Sequence, residues 1–164
     1  MTQQKDHRLI IIGLDGSPAG DAALRWALGQ ARSDDRLEAL YVAPRDSLLP
    51  GTSLALQPHG RRPVRPPISA ERIDAVRAEF ADAAPVKDRI VHGDAASELV
   101  AASATADLLV VGARRTTALG QLVLGSVAGH CVGHAQCPVV VITPEAARRI
   151  PLGSEASEDE ATGL

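Results

Sequence analysis

Aromatic residues are nearly missing from this chain: Trp26, Tyr41 and Phe80 make up 2% of 164 residues. The core must therefore be built from Ala, Val, Leu and Ile, which suits helices lying close on a sheet. Lysine is almost as scarce. Lys5 and Lys87 stand against seventeen basic residues in all, and we read the arginine excess as composition bias rather than chemistry. Two cysteines, Cys131 and Cys137, provide no disulfide framework. The net charge of −3 gives no basic field for nucleic acid. No apolar run is long enough to span a bilayer, and the polar start, Met1 to Arg8, does not read as a signal peptide. A cytoplasmic protein with no nucleic-acid or membrane partner is expected. Also missing are a Walker A sequence, a Gly-x-Ser-x-Gly elbow, a dinucleotide fingerprint and a paired set of carboxylates. Nothing marks an efficient catalyst; at most a slow hydrolysis is expected.

The most informative stretch runs from Ala106 to Val127. Leu108 to Val111 is a continuous apolar run, as in a strand covered on both faces. Gly112 ends it, and a basic loop with Arg114 and Arg115 follows. A helix opens at Gly125-Ser126, where free backbone N–H groups and the positive end of the helix dipole suit an anion. The residues alone therefore predict a phosphate site at the end of a parallel strand.

The rest of the chain alternates strand and helix. Arg8 to Leu14 reads as a buried strand ending at Asp15-Gly16-Ser17. Ser17 and Pro18 open a helix to about Arg32, with Ala22, Ala23, Trp26 and Ala27 inward. Leu37 to Val42 is the second strand. Residues 45–68 form a long proline-rich loop carrying Arg61, Arg62 and Arg65, either a lid over a polyphosphate or a mobile solvated segment. A helix is expected from Ala70 to about Ala83, with Ile73, Val76 and Phe80 at core spacing. Val86 to His92 is the third strand. Asp94 then caps a helix to about Ala106, which we prefer to a catalytic reading of His92-Gly93-Asp94. A fourth helix spans about Ser126 to His134, and Val139 to Thr143 is the last strand. Residues 145–164 read as a disordered acidic tail. His130, Cys131, His134 and Cys137 have types that suit zinc. Helical neighbours point about 100° apart, however, so Cys131 is assigned to the core and no metal site is expected.

Gly112, then Gly125-Ser126 after the intervening loop, resembles the Gly-x2-Gly-x9-Gly-Ser/Thr nucleotide motif of the universal stress protein family, with Arg115 at the second glycine. The Asp15-Gly16-Ser17 turn, the Ala23-Leu24-Arg25-Trp26-Ala27 run and the His134 to Pro138 turn resemble that family too, across residues 8–144. The resemblance implies an α/β fold of adenine-nucleotide α-hydrolase type: an open five-stranded parallel sheet, order 3-2-1-4-5, with helices on both faces. In that order the winding reverses between the first and fourth strands, where ligands of open α/β sheets bind.

The resemblance further implies ATP, with or without Mg²⁺, as ligand, a role as stress sensor or regulator, and a homodimer through Val139 to Thr143. The site would comprise Leu14, Asp15, the Val42 backbone against adenine, Val111, Gly112, Arg114, Arg115, Gly125, Ser126 and Val127. Arg115 admits two consequences. At a position needing positive φ it costs on the order of 1 kcal/mol or more; alternatively its guanidinium pairs with phosphate. The contrasting function is a dimeric interaction module that binds a partner protein and no nucleotide.

Overall fold

Three consecutive isoleucines set the middle of the sheet. In the computed structural model, which describes residues 7–44, 70–113, 115–116 and 122–150, Ile10, Ile11 and Ile12 are all buried in strand β1 (Leu9–Leu14). Alternate residues of a strand face opposite sides. So Ile10 and Ile12 join one apolar cluster and Ile11 the other. Burial on both faces is why the run reads as continuous apolar sequence rather than alternation.

Helix α1 (Pro18–Gln30) follows, capped by the Ser17 hydroxyl, which accepts from the Gly20 N–H at 3.2 Å. Its buried face is Gly20, Ala22, Ala23, Leu24, Ala27 and Leu28; Trp26 packs at the edge of that cluster. Strand β2 (Arg36–Ala43), helix α2 (Ala70–Arg77), strand β3 (Val86–His92), helix α3 (Ala95–Ser103) and strand β4 (Leu108–Gly112) come next. Two short strands, β5 (Arg115–Thr116) and β6 (Leu122–Val123), then pair antiparallel. Helix α4 (Ser126–His134), strand β7 (Val139–Ile142) and helix α5 (Pro144–Ala147) complete the described fold.

The main sheet has the order β3-β2-β1-β4-β7 with every pairing parallel. This is the expected 3-2-1-4-5 arrangement, with β7 as fifth strand. Residues of α1 and α2 cover the face carrying Ile10, Ile12, Ala39, Val110 and Ile142. On the other face, Leu99 and Ala102 of α3 and Ala128 and Cys131 of α4 pack on Ile11, Leu40, Leu109 and Val111.

Element ends differ from expectation for local reasons. The α-helix of α2 stops at Arg77 because the Glu79 and Phe80 N–H groups bond to Val76 and Arg77 three residues back. There Glu79 forks onto Arg25 of α1, with both contacts at 2.8 Å. Phe80 still packs on the core, but from a turn. The segment after α3 tightens in the same way over Ala104 to Ala106. The last strand ends at Ile142, since Thr143 caps α5 with its hydroxyl 3.1 Å from the Ala146 N–H. Helix α5 continues the fold past the expected boundary at 144, and Ala147 and Ile150 pack against the core. The rest of the expected tail, and the loop at 45–68, lie outside the described residues.

Below the sheet's amino end, Asp35 is 2% exposed and collects four hydrogen bonds. It accepts from the Arg8 N–H, Nε and Nη2 and from the Arg32 N–H. The cluster fastens the start of β1 to the α1–β2 turn. Hydrogen bonding to Arg8, opposed by burial, lowers the Asp35 carboxyl to about 2.

Candidate functional site

β1 feeds α1 on one face of the sheet, whereas β4 leads to α4 on the other. The chain thus parts between Leu14 and Gly112, and a cavity of about 350 Å³ opens at the carboxyl ends of the strands. It collects Leu14, Asp15, Val42, Val111, Gly112, Gly125, Ser126 and Val127. These residues come from four separate parts of the chain, and all were expected to meet. Arg114 and the Arg115 side chain lie outside the described residues.

Each wall has a local cause. Asp15 lies at the rim, and its Oδ1 accepts from the Ser17 N–H at 3.0 Å. The carboxylate therefore stabilises the turn as well as lining the cavity. Gly16, at φ 77°, lets the turn reverse into α1.

Gly112 has a packing role of its own. A Cβ there would lie 2.6 Å from the Ala19 carbonyl carbon and 2.7 Å from its oxygen. The first turn of α1 rests on this glycine. Absence of a side chain is required by helix–strand packing, before any ligand is considered.

Gly125 combines φ 77° with ψ 159°, a region essentially restricted to glycine. This backbone turns the chain from β6 into α4. No side chain caps the helix. The first-turn N–H groups of Ser126, Val127 and Ala128, which an α-helix leaves without internal partners, therefore open beside the cavity. Here the dipole and the oriented donors favour negative charge.

Between Gly112 and Gly125 lies the β5–β6 ribbon, which strands of two residues do not announce in sequence. Arg115 pairs with Val123 in it. Among the described residues only glycines have positive φ, so Arg115 sits in ordinary strand geometry. The backbone-strain consequence of replacing the motif glycine does not arise.

Sequence reasoning missed much of the apolar lining. Gly13, Leu40, Ala95, Leu99 and Leu124 also face the cavity. Leu99 of α3 lies over Gly13, where its methyls would be 3.0 and 3.2 Å from an added Cβ, a position that no local pattern announces. The lining is thus mostly aliphatic, with Asp15, Tyr41 and Ser126 among its polar members.

Other expected features settle plainly. Asp94 caps α3, accepting from the Ser97 N–H at 2.9 Å and its hydroxyl at 2.8 Å. Those bonds hold Asp94 below the usual carboxylate range. Cys131 is fully buried in the α3/α4 core, and burial pushes its thiol upward. No described helix is long and apolar enough to cross a membrane.

The Universal stress protein family model matches residues 7–143. The chain belongs to the universal stress protein family. It is 35% identical to Universal stress protein Rv2028c of Mycobacterium tuberculosis, over 96% of this chain and 54% of that protein. With Universal stress protein Rv2623 of the same organism the identity is 33%, covering 83% of this chain and 48% of the relative. The chain thus spans about half the length of these relatives. Among solved structures, universal stress protein UspA from Lactobacillus plantarum superposes with a TM-score of 0.54 at 24% identity, covering 82% of this chain and 96% of that one. A universal stress protein in complex with cAMP gives 0.51 at 22% identity, covering 83% and 96%. A family protein from Arabidopsis thaliana with AMP bound gives 0.50 at 18%, covering 83% and 91%. At these identities the likeness establishes the fold.

Proposed function

We propose that this universal stress protein binds an adenine nucleotide, ATP first among them, in the cavity between β1 and β4, and acts as a sensor or regulator rather than as an efficient enzyme. The observation that carries this reading is the uncapped start of α4, swung into the cavity by Gly125. An aliphatic slot that ends in unsatisfied N–H donors matches the two halves of a nucleotide. The base and ribose lie between Val42, Leu40 and Leu99, with Asp15 at the ribose. The phosphates lie on the Ser126 and Val127 N–H groups and the Ser126 hydroxyl, and Arg114 and Arg115 supply charge, with Mg²⁺ accompanying the triphosphate. Family proteins of the same fold hold cAMP and AMP. The regulator acts as a homodimer. Its edge strand β7, with Val139, Val140 and Val141 only half buried, pairs with a second copy and so covers an open aliphatic edge.

The test is to denature the purified protein, identify any released nucleotide by chromatography, and titrate the stripped protein with ATP and Mg²⁺ by calorimetry. Adenine nucleotide in the supernatant, or saturable heat from ATP, supports the reading. Neither signal, across ionic strength and Mg²⁺, overturns it and leaves the partner-binding module.

A further inference from the structure

Register sets four charged side chains on one face at the outer corner of the sheet. Leu9 pairs with Arg36 and Ile11 with Glu38, while across the next ladder Glu38 pairs with Lys87 and Leu40 with Arg89. Residues paired across strands share a face. Leu9, Ile11 and Leu40 belong to the α3/α4 side, so Arg36, Glu38, Lys87 and Arg89 point to that side as well. Arg36, Lys87 and Arg89 are exposed there. A groove of about 600 Å³ lies at the amino ends of β1, β2 and β3, lined by Arg36, Glu38 and Lys87 beside Leu9, Pro85 and Val86. The corner carries unbalanced positive charge. Glu38 is taken by Arg89 at 2.9 Å, and among the described residues Arg36 and Lys87 enter no ion pair. Asp88 points to the opposite face with Ala39, and Asp34 and Asp107 act on Arg8. Charges on an edge strand such as β3 guard it against pairing. Arg36 stands one strand further in, where there is no edge to guard.

We propose that this corner is the docking surface for the chain's own acidic segment, Pro151 to Leu164. That segment lies outside the described residues; it holds Glu155, Glu158, Asp159 and Glu160 and no lysine or arginine. The match is one of spacing as well as sign. Lys87 and Arg89, two apart on a strand, stand about 6.6–6.8 Å apart along it, and Glu158 and Glu160 keep the same interval in an extended chain. The reach also suffices. Ile150, the last described residue, packs on the α1 side. Glu158 to Glu160 follow it by eight to ten residues, a span of up to about 26–36 Å. The full width of a five-stranded sheet is about 19 Å, and one helix layer adds about 10 Å. Contacts between exposed charges are weak and screened. Tethering, however, holds the segment at an effective concentration of about a millimolar, so a weak contact is populated. The surface is independent of the nucleotide reading, because the cavity lies at the carboxyl ends of the strands and uses none of these four residues.

Lys87 is one of only two lysines, with Lys5, which makes it a reporter. The full 164-residue chain, without an affinity tag, is treated with a water-soluble carbodiimide at low ionic strength. The reagent joins a lysine amine to a touching carboxylate as an amide, and the carbodiimide takes up the water that is lost. Protein of monomer size is then digested and mapped by mass spectrometry. A link from Lys87 to Glu158, Asp159 or Glu160 is expected. Its yield should fall by about threefold or more at about 1 M salt, where the screening length is about 3 Å. Arg36→Glu should lower the yield by as much, although it leaves both lysines and every acidic residue of the segment in place. Circular dichroism confirms that the variant is folded. A link only to Lys5 or to the amino terminus overturns the proposal. So does a link found only at dimer size, which would put the segment on a second copy. No link from Lys87, or a yield indifferent to salt and to Arg36→Glu, overturns it equally.

Discussion

Arg8 grips Asp35 with its Nε at 3.1 Å and Nη2 at 2.5 Å, and the carboxylate it holds is 2% exposed while the guanidinium is 45% exposed. Taking one carboxylate out of water is tolerable because three donors of Arg8 and the Arg32 N–H replace the solvent. The folded carboxyl titrates at about 2, below an unfolded value of about 3.9. A depressed folded value means that stability is fully present above the unfolded value and lost as pH falls towards the folded one. Asp35→Asn should therefore cost about 1–3 kcal/mol at neutral pH. The difference from wild type should shrink between about pH 4 and about pH 2. Urea unfolding as a function of pH measures both; a pH-independent gap would show that the charge is immaterial.

Replacing Gly112 by alanine should damage the protein even when no nucleotide is present. The new methyl would occupy the Ala19 carbonyl group, so α1 must move off the sheet. A loss of about 1–3 kcal/mol is expected, the usual range for overpacking. Chemical denaturation of the ligand-free variant is the check. Unchanged stability would show that the α1 packing does not demand glycine here.

Gly125→Ala should act on both stability and binding. Its φ of 77° with ψ of 159° strains any side-chain-bearing residue, by about 1–3 kcal/mol. The relief available is rotation of the first turn of α4 away from the cavity. Calorimetry with ATP should show a loss of about tenfold or more. Ser126→Ala, which leaves every N–H in place, should lose less. Equal losses in the two variants would mean that the hydroxyl, and not the backbone, dominates.

The two thiols should differ sharply in reactivity. Cys131 is fully buried and Cys137 only partly so. Burial raises both above the usual thiol range, and Asp107 adds to the effect at Cys137. Under native conditions a disulfide reagent should modify Cys137 slowly, and Cys131 only at the rate of unfolding. Two equivalents reacting together in the folded protein would contradict the packing of α4 on the sheet.

Most of the architecture is legible in sequence because it rests on patterns longer than a single contact. The isoleucine run of β1, the aliphatic run of β4 and the Ser17-Pro18 helix start each encode a local structure. The strand order came through the family resemblance, since no local pattern states which strands pair. What escaped is tertiary. The end of α2 depends on Glu79 reaching Arg25 across 54 positions, and α1 ends where Asp35 holds the Arg32 N–H. The β5–β6 ribbon is too short to carry a period. At the site, Gly125 was found because a helix start has a local signature. The cause of Gly112 was not, because the atom that forbids a side chain belongs to Ala19, far away along the chain.

That contact bears on how the family's history can be read. A lineage that ceased to use its ligand would gain no freedom at Gly112, which α1 still presses upon, or at Gly125, whose backbone still needs glycine. Selection for a foldable chain alone would maintain both. Arg115 stands in strand geometry, where the backbone does not demand glycine. Two of the three motif glycines are therefore a record of architecture. A descendant can fall silent as a nucleotide receptor long before its motif shows it.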